Sequence, residues 1–280
     1  MKKYISIFLI SALWFTSCKV DDVLQDPNNP SLDQLDADLL LNGIQQNVDD
    51  FFTGISEDGM SAVRMISLFP RGGTYETFYI PQDFDEDWID AYADILLDVQ
   101  TLIPIAEERQ LFQHNAIART IRAYVLVTLV DYFGDVPFSE AFQGAANFNP
   151  SVDSGSSLYQ FAYDDLLAAI DDLRATSGAS PDALLFYSNI GDYEQLIYSL
   201  LLKIDLQRRL VDNDALGRIQ ALIDNDTIDF ISSAQDWKYD FSTNILNPDS
   251  RHSYFGENYD NGAATYMSNS MMAEMINRGD

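Results

Sequence analysis

Residues 114–139 read HNAIARTIRAYVLVTLVDYFGDVPFS. From His114 to Phe133 the apolar side chains fall on most faces of a 3.6-residue turn, so the segment predicts a helix buried nearly all round, the central element of its domain. Arg122 sits among those apolar residues and needs an acid, for which Asp131 is the nearest candidate along the chain. Gly134 supplies the stop, because glycine reaches helix-ending backbone conformations at no steric cost.

Working outward, the same period recurs on both sides. Ser31 with Gln34 forms a capping box, and Leu35, Leu39, Leu40 and Ile44 continue a helix to about Phe52. A second helix is expected over Ser56 to Leu68, ending at Pro70, and Arg71 to Pro81 reads as an aromatic loop. A third begins near Phe84 with an acidic first turn that suits the helix dipole. Trp88, Tyr92 and Ile95 mark its core face, and Pro104 should kink or divide it. Beyond Gly134, Ser157 with Gln160 and Asp192 with Gln195 open two more helices, the latter running to Val211. A shorter helix follows over Asp214 to Ile223. Alternation of the strand kind is nearly confined to Trp237-Lys238-Tyr239-Asp240-Phe241. Then the chain is loop-like until a helix begins at Met267. The fold class is therefore mostly all-α, built of helical hairpins of the tetratricopeptide kind, though no clean repeat of about 34 residues is present.

Composition narrows the function. The chain has 280 residues, with 44 acids against 16 bases and a net charge of −28. So negative a body repels phosphate backbones, which excludes nucleic acid as a partner, and it repels anionic membrane surfaces. One cysteine forbids an internal disulfide, and two histidines leave little for metal or triad chemistry, so no cofactor, metal or catalytic residue is assigned. Gly54 to Gly59 misses a nucleophile elbow by one residue. Asp83, Asp85, Asp87 and Asp94 miss a calcium loop, because Trp88 stands where the sharp turn needs glycine. Arg64, Arg119, Arg122, Arg208 and Arg209 are candidate anchors for a partner surface.

The single cysteine has its own explanation. Lys2 and Lys3 precede an apolar run from Tyr4 to Phe15, then Thr16, Ser17 and Cys18. That is a secretory signal, residues 1–17, whose cleavage site resembles the bacterial lipobox and makes Cys18 the lipidated first residue. Residues 18–32 then form a tether, with a proline-broken stretch at Asp26 to Pro30.

The central stretch also carries a resemblance. Arg122-Ala123-Tyr124 followed by Asp131 to Ser139 resembles the most recurrent segment of the SusD/RagB family. Trp88, Tyr92 and Ile95, the Asn28-Asn29-Pro30 segment, Tyr159 to Leu173, and Ile190-Gly191-Asp192 before a leucine-rich helix are similar to it as well. Lys203 stands where that family usually has arginine, and Tyr193 and Tyr198 stand where tryptophan and asparagine are expected.

The resemblance implies a non-enzymatic outer-membrane lipoprotein, held to the membrane by its lipid anchor alone and exposed at the cell surface. It would capture oligosaccharides for nutrient uptake and deliver them to a TonB-dependent, SusC-like barrel. A peptide ligand in the same family, a lipid-anchored glycoside hydrolase, and a helical protein-interaction module are the alternatives. It also implies that residues 33–280 are a partial domain, because Asn277-Arg278-Gly279-Asp280 stops where the family continues into Asp-Pro-Arg. Sugars bind flat apolar rings flanked by hydrogen-bonding groups, and two segments mix the two: Arg71 to Trp88 and Trp237 to Tyr266. The ligand-binding candidates are Tyr75, Tyr79, Trp237 and Tyr254; Trp88, at helical spacing from Tyr92, is read as core.

Overall fold

A computed structural model describes residues 35–68, 80–175, 177–245, 250–255, 259–260, 262 and 265–279. Tyr75, Tyr79, Cys18 and the Ser31–Gln34 cap lie outside those residues, as does most of the Arg71–Pro81 loop.

Helix α1 spans Ala37–Ala62 without interruption, where the sequence suggested two helices. Leu41, Ile44, Val48, Phe51 and Ile55 are buried at helical spacing, so one apolar stripe runs through the expected break. Gly54 is kept for a packing reason. A Cβ there would stand 2.8 Å from Asp87 Oδ1, so any larger residue would push that carboxyl out of its place in the helix contact.

That neighbour starts as α2 (Asp85–Ile89), passes through a π-helical stretch (Asp90–Leu96) and continues as α3 (Leu97–Glu108). Pro104 lies inside α3 and does not divide it; the irregular turn sits upstream instead. Gln110 at φ +57 reverses the chain into α4 (Phe112–Phe133). As its sequence requires, α4 is buried on nearly every side, and it ends on Gly134 at φ +81, whose N–H reaches Val130 O at 2.9 Å. A two-residue ladder follows, β2 (Val136–Pro137) antiparallel to β3 (Val152–Asp153).

Helix α5 (Gly155–Arg174) is capped by Ser154, which accepts the Ser157 N–H at 3.2 Å, so the cap falls three residues before the expected Ser157. Helices α6 (Asp192–Arg208) and α7 (Ala215–Ile223) follow, and consecutive helices pack side by side from α3 to α7. Residues 237–241 form no strand, in contrast to their alternating pattern. Downstream, β4 (Thr265–Met267) pairs antiparallel with β1 (Ile66–Leu68), Ser67 opposite Tyr266. Ser268 then caps α8 (Asn269–Arg278) by accepting the Met271 N–H.

The charge buried in α4 is answered from α5. Arg122 donates from Nε and Nη2 to Asp165, both at 2.8 Å, and Arg119 adds a third bond at 2.9 Å. Asp165, and not Asp131, is therefore the partner of Arg122. Asp131 instead accepts from Tyr159 and from Gln207 at 2.6 Å. Arg208 is likewise held internally, by Asp205 of its own helix at 2.9 Å and by Gln160 of α5 at 3.0 Å. Arg119, Arg122 and Arg208 thus stitch helices together and are not free anchors for a partner.

Candidate functional site

One face of α1 carries Asp49, Phe52, Thr53, Ser56 and Met60, at the three- and four-residue spacings that align side chains on a helix. Opposite stand His252 and Tyr254, the latter in a single helical turn, Ser253–Phe255. Together these residues line a cleft of about 540 Å³.

Its walls are held from behind by rings. Phe52 stacks on Tyr124 with centroids 4.6 Å apart, and Tyr124 meets Trp237 edge-on at 5.8 Å. Trp237 packs on Phe186 at 4.8 Å, and Tyr239 and Phe241 continue the contacts to His252 and Tyr254. The aromatic series therefore begins and ends in the same cleft. Ring-to-ring packing of this kind rigidifies the walls and contributes roughly 0.5–1.5 kcal/mol per pair beyond area burial.

The polar groups have defined roles. His252 Nδ1 accepts the backbone N–H of Tyr254 at 3.2 Å, so Nε2 is the ring nitrogen left to donate to a ligand. Burial pushes the Asp49 carboxyl above its usual range and neighbouring Asp50 adds to this, while His252 opposes both. A carboxylate, two hydroxyls and an imidazole between aromatic faces can hydrogen-bond ligand hydroxyls while the rings cover apolar C–H faces.

A second cleft, of about 470 Å³, lies between the π-helical stretch and the β2–β3 connection. Trp88 lines it while stacking on Tyr92 at 5.2 Å, and its other neighbour is Phe133 at 5.0 Å. With rings packed against it and its body against the core, Trp88 serves mainly as packing, in line with its spacing from Tyr92.

A third feature is an acid pair. Asp87 is 4% exposed and shares a hydrogen bond with Asp58 across the α1–α2 contact. Burial, then Asp58, push the Asp87 carboxyl up to about 7. Enclosed between helices, it offers no room for a ligand.

Of the aromatic candidates from the sequence, Tyr254 lines the first cleft and Trp237 stands behind it, packed between Tyr124 and Phe186. The contribution of α1 went unseen. Its signal was there: Asp49, Phe52, Thr53, Ser56 and Met60 share one stripe only if the helix is continuous.

Comparison with known proteins places these features. Residues 27–280 match the SusD-like family described as "Starch-binding associating with outer membrane". A SusD homolog from Bacteroides fragilis has a similar fold, with a TM-score of 0.66, 19% identity, and 88% of this chain and 51% of that chain covered. A chitin-binding protein gives 0.71 at 18% identity, covering 88% and 53%, and a SusD homolog from Bacteroides uniformis gives 0.70 at 16%, covering 90% and 53%. The chain spans about half the length of these solved structures. No curated protein sequence matches it. The family match over most of the chain and the shared helical, tetratricopeptide-like fold lead to one conclusion: this chain belongs to the SusD-like family.

Proposed function

We propose that the chain is a non-catalytic cell-surface lipoprotein, anchored through Cys18, that holds an oligosaccharide in the α1 cleft and passes it to a TonB-dependent, SusC-like barrel. One observation carries the reading: Phe52 and Tyr254 border a cleft that also contains Asp49, Thr53 and Ser56. Apolar rings beside hydroxyls and a carboxylate are what a pyranose ring needs from a surface. Membership of a family described as starch-binding and associated with the outer membrane supports the ligand class and the location.

Calorimetric titration with neutral oligosaccharides tests the reading. Phe52→Ala and Tyr254→Ala should each weaken binding by about 1–3 kcal/mol, the range for aromatic platforms. Affinity unchanged in both variants would remove the cleft from the account. Hydrolysis of the bound glycan by the pure protein would contradict the non-catalytic role.

A further inference from the structure

We infer that Asp49 makes the α1 cleft selective by charge: it admits neutral and amine-bearing sugars and rejects sugars carrying carboxylate or sulfate groups. The inference rests on the glycan-binding reading above and names the ligand class for that cleft.

Three observations support it. First, among the described residues no lysine or arginine lines the cleft; its one fixed charge is Asp49, and its only other titratable groups are His252 and Tyr254. Second, the cation beside the far wall is already committed. Arg251 is bonded to Asp260 at 2.8 Å and lies over the Phe255 ring at 4.7 Å, so little of its charge is left to attract an anionic sugar. Third, the surroundings are acidic: Asp50 follows Asp49 on α1, and the chain as a whole carries −28. An incoming carboxylate therefore meets a fixed negative charge and a negative far field, with no guanidinium fork to offset its desolvation.

The magnitude follows from Coulomb's law. A second negative charge held about 6 Å from Asp49 at an effective dielectric constant of roughly 40 loses about tenfold in affinity. A protonated amine at the same place gains by the same argument.

Paired probes test this. The full chain is titrated with malto-, cello-, manno- and N-acetylchito-hexasaccharides and with each one's C6-oxidised, uronate-bearing counterpart. The neutral member of the binding pair should be tighter by about tenfold, and Asp49→Asn should narrow that gap to about threefold or less. Asp49→Lys should reverse the order. A uronate that binds wild type as well as its neutral parent, or a gap that Asp49→Asn leaves unchanged, would overturn the selectivity while leaving the glycan reading in place. Absence of binding by both series would overturn the glycan reading itself, and the selectivity with it.

Discussion

Replacing Asp87 by asparagine should stabilise the protein at alkaline pH and change the shape of its pH–stability curve. In the folded chain the carboxyl is 4% exposed, faces Asp58 across the α1–α2 contact, and has Asp90 and Glu86 on its own segment. Burial and these like charges push it up to about 7, against about 3.9 in an unfolded chain. The folded state thus binds a proton more tightly than the unfolded one. The stabilisation is fully present below the unfolded value and is lost as pH rises through about 7. A gap of about three units corresponds to at most about 4 kcal/mol lost by pH 8, and sharing of the proton with Asp58 lowers the figure to about 2–3 kcal/mol. Asparagine cannot ionise, and its amide still donates to the Asp58 carboxylate. About a third of that loss is already complete at pH 5, so urea melts at pH 5 and pH 8 should show wild type losing about 1–2 kcal/mol more than Asp87→Asn over that interval. Parallel curves for the two proteins would refute the argument, since the pair would then carry no bound proton.

Three further outcomes follow from the same contacts. Asp165→Asn leaves the Arg119 and Arg122 guanidiniums without their shared carboxylate between α4 and α5, and should cost about 3 kcal/mol or more by denaturant unfolding. Gly54→Ala drives a methyl to within 2.8 Å of Asp87 Oδ1 and should cost about 1–3 kcal/mol; adding Asp87→Ala should recover much of it, so the two changes will not add. Cys18→Ala should move the protein from the membrane fraction to the soluble fraction after cell disruption, and unchanged membrane association would contradict a lipid anchor on that residue.

The parts of the fold legible in the sequence are those set by local periodicity. Helix α4 announces itself because nearly every face is apolar, and its end is marked by a glycine that adopts φ +81. What local pattern could not supply is pairing over distance. Arg122 finds Asp165 on the next helix, 43 residues away, while Asp131, the nearer acid, is taken by Tyr159 and Gln207. The alternation at 237–241 looks like a strand, yet among the described residues no strand pairs with it. Its rings pack sideways on Phe186 and Tyr124 instead. The cap of α5 shows a smaller version of the problem: two serines compete, and the earlier one takes the bond from the later one's N–H.

The candidate site follows the same division. Tyr254 was identifiable from its company of polar and aromatic residues. The α1 wall was not, because Gly54-Ile55-Ser56 reads as a break when only the backbone cost of glycine is weighed. The glycine answers to Asp87, a contact from another helix, and the price of an intact α1 is a residue of low helix propensity in its middle. With the helix read as broken, Asp49 and Met60 belong to different elements and no common face can be drawn.

The most direct test of the central claim is a titration followed on the methionine methyl groups. Met60 lines the cleft, whereas Met272 is exposed on α8. In a spectrum of the full chain labelled at methionine methyls, a neutral hexasaccharide that binds should shift the Met60 resonance in a saturable way and leave Met272 unmoved. Saturable binding by calorimetry with the Met60 resonance unmoved would place the glycan elsewhere and contradict the account.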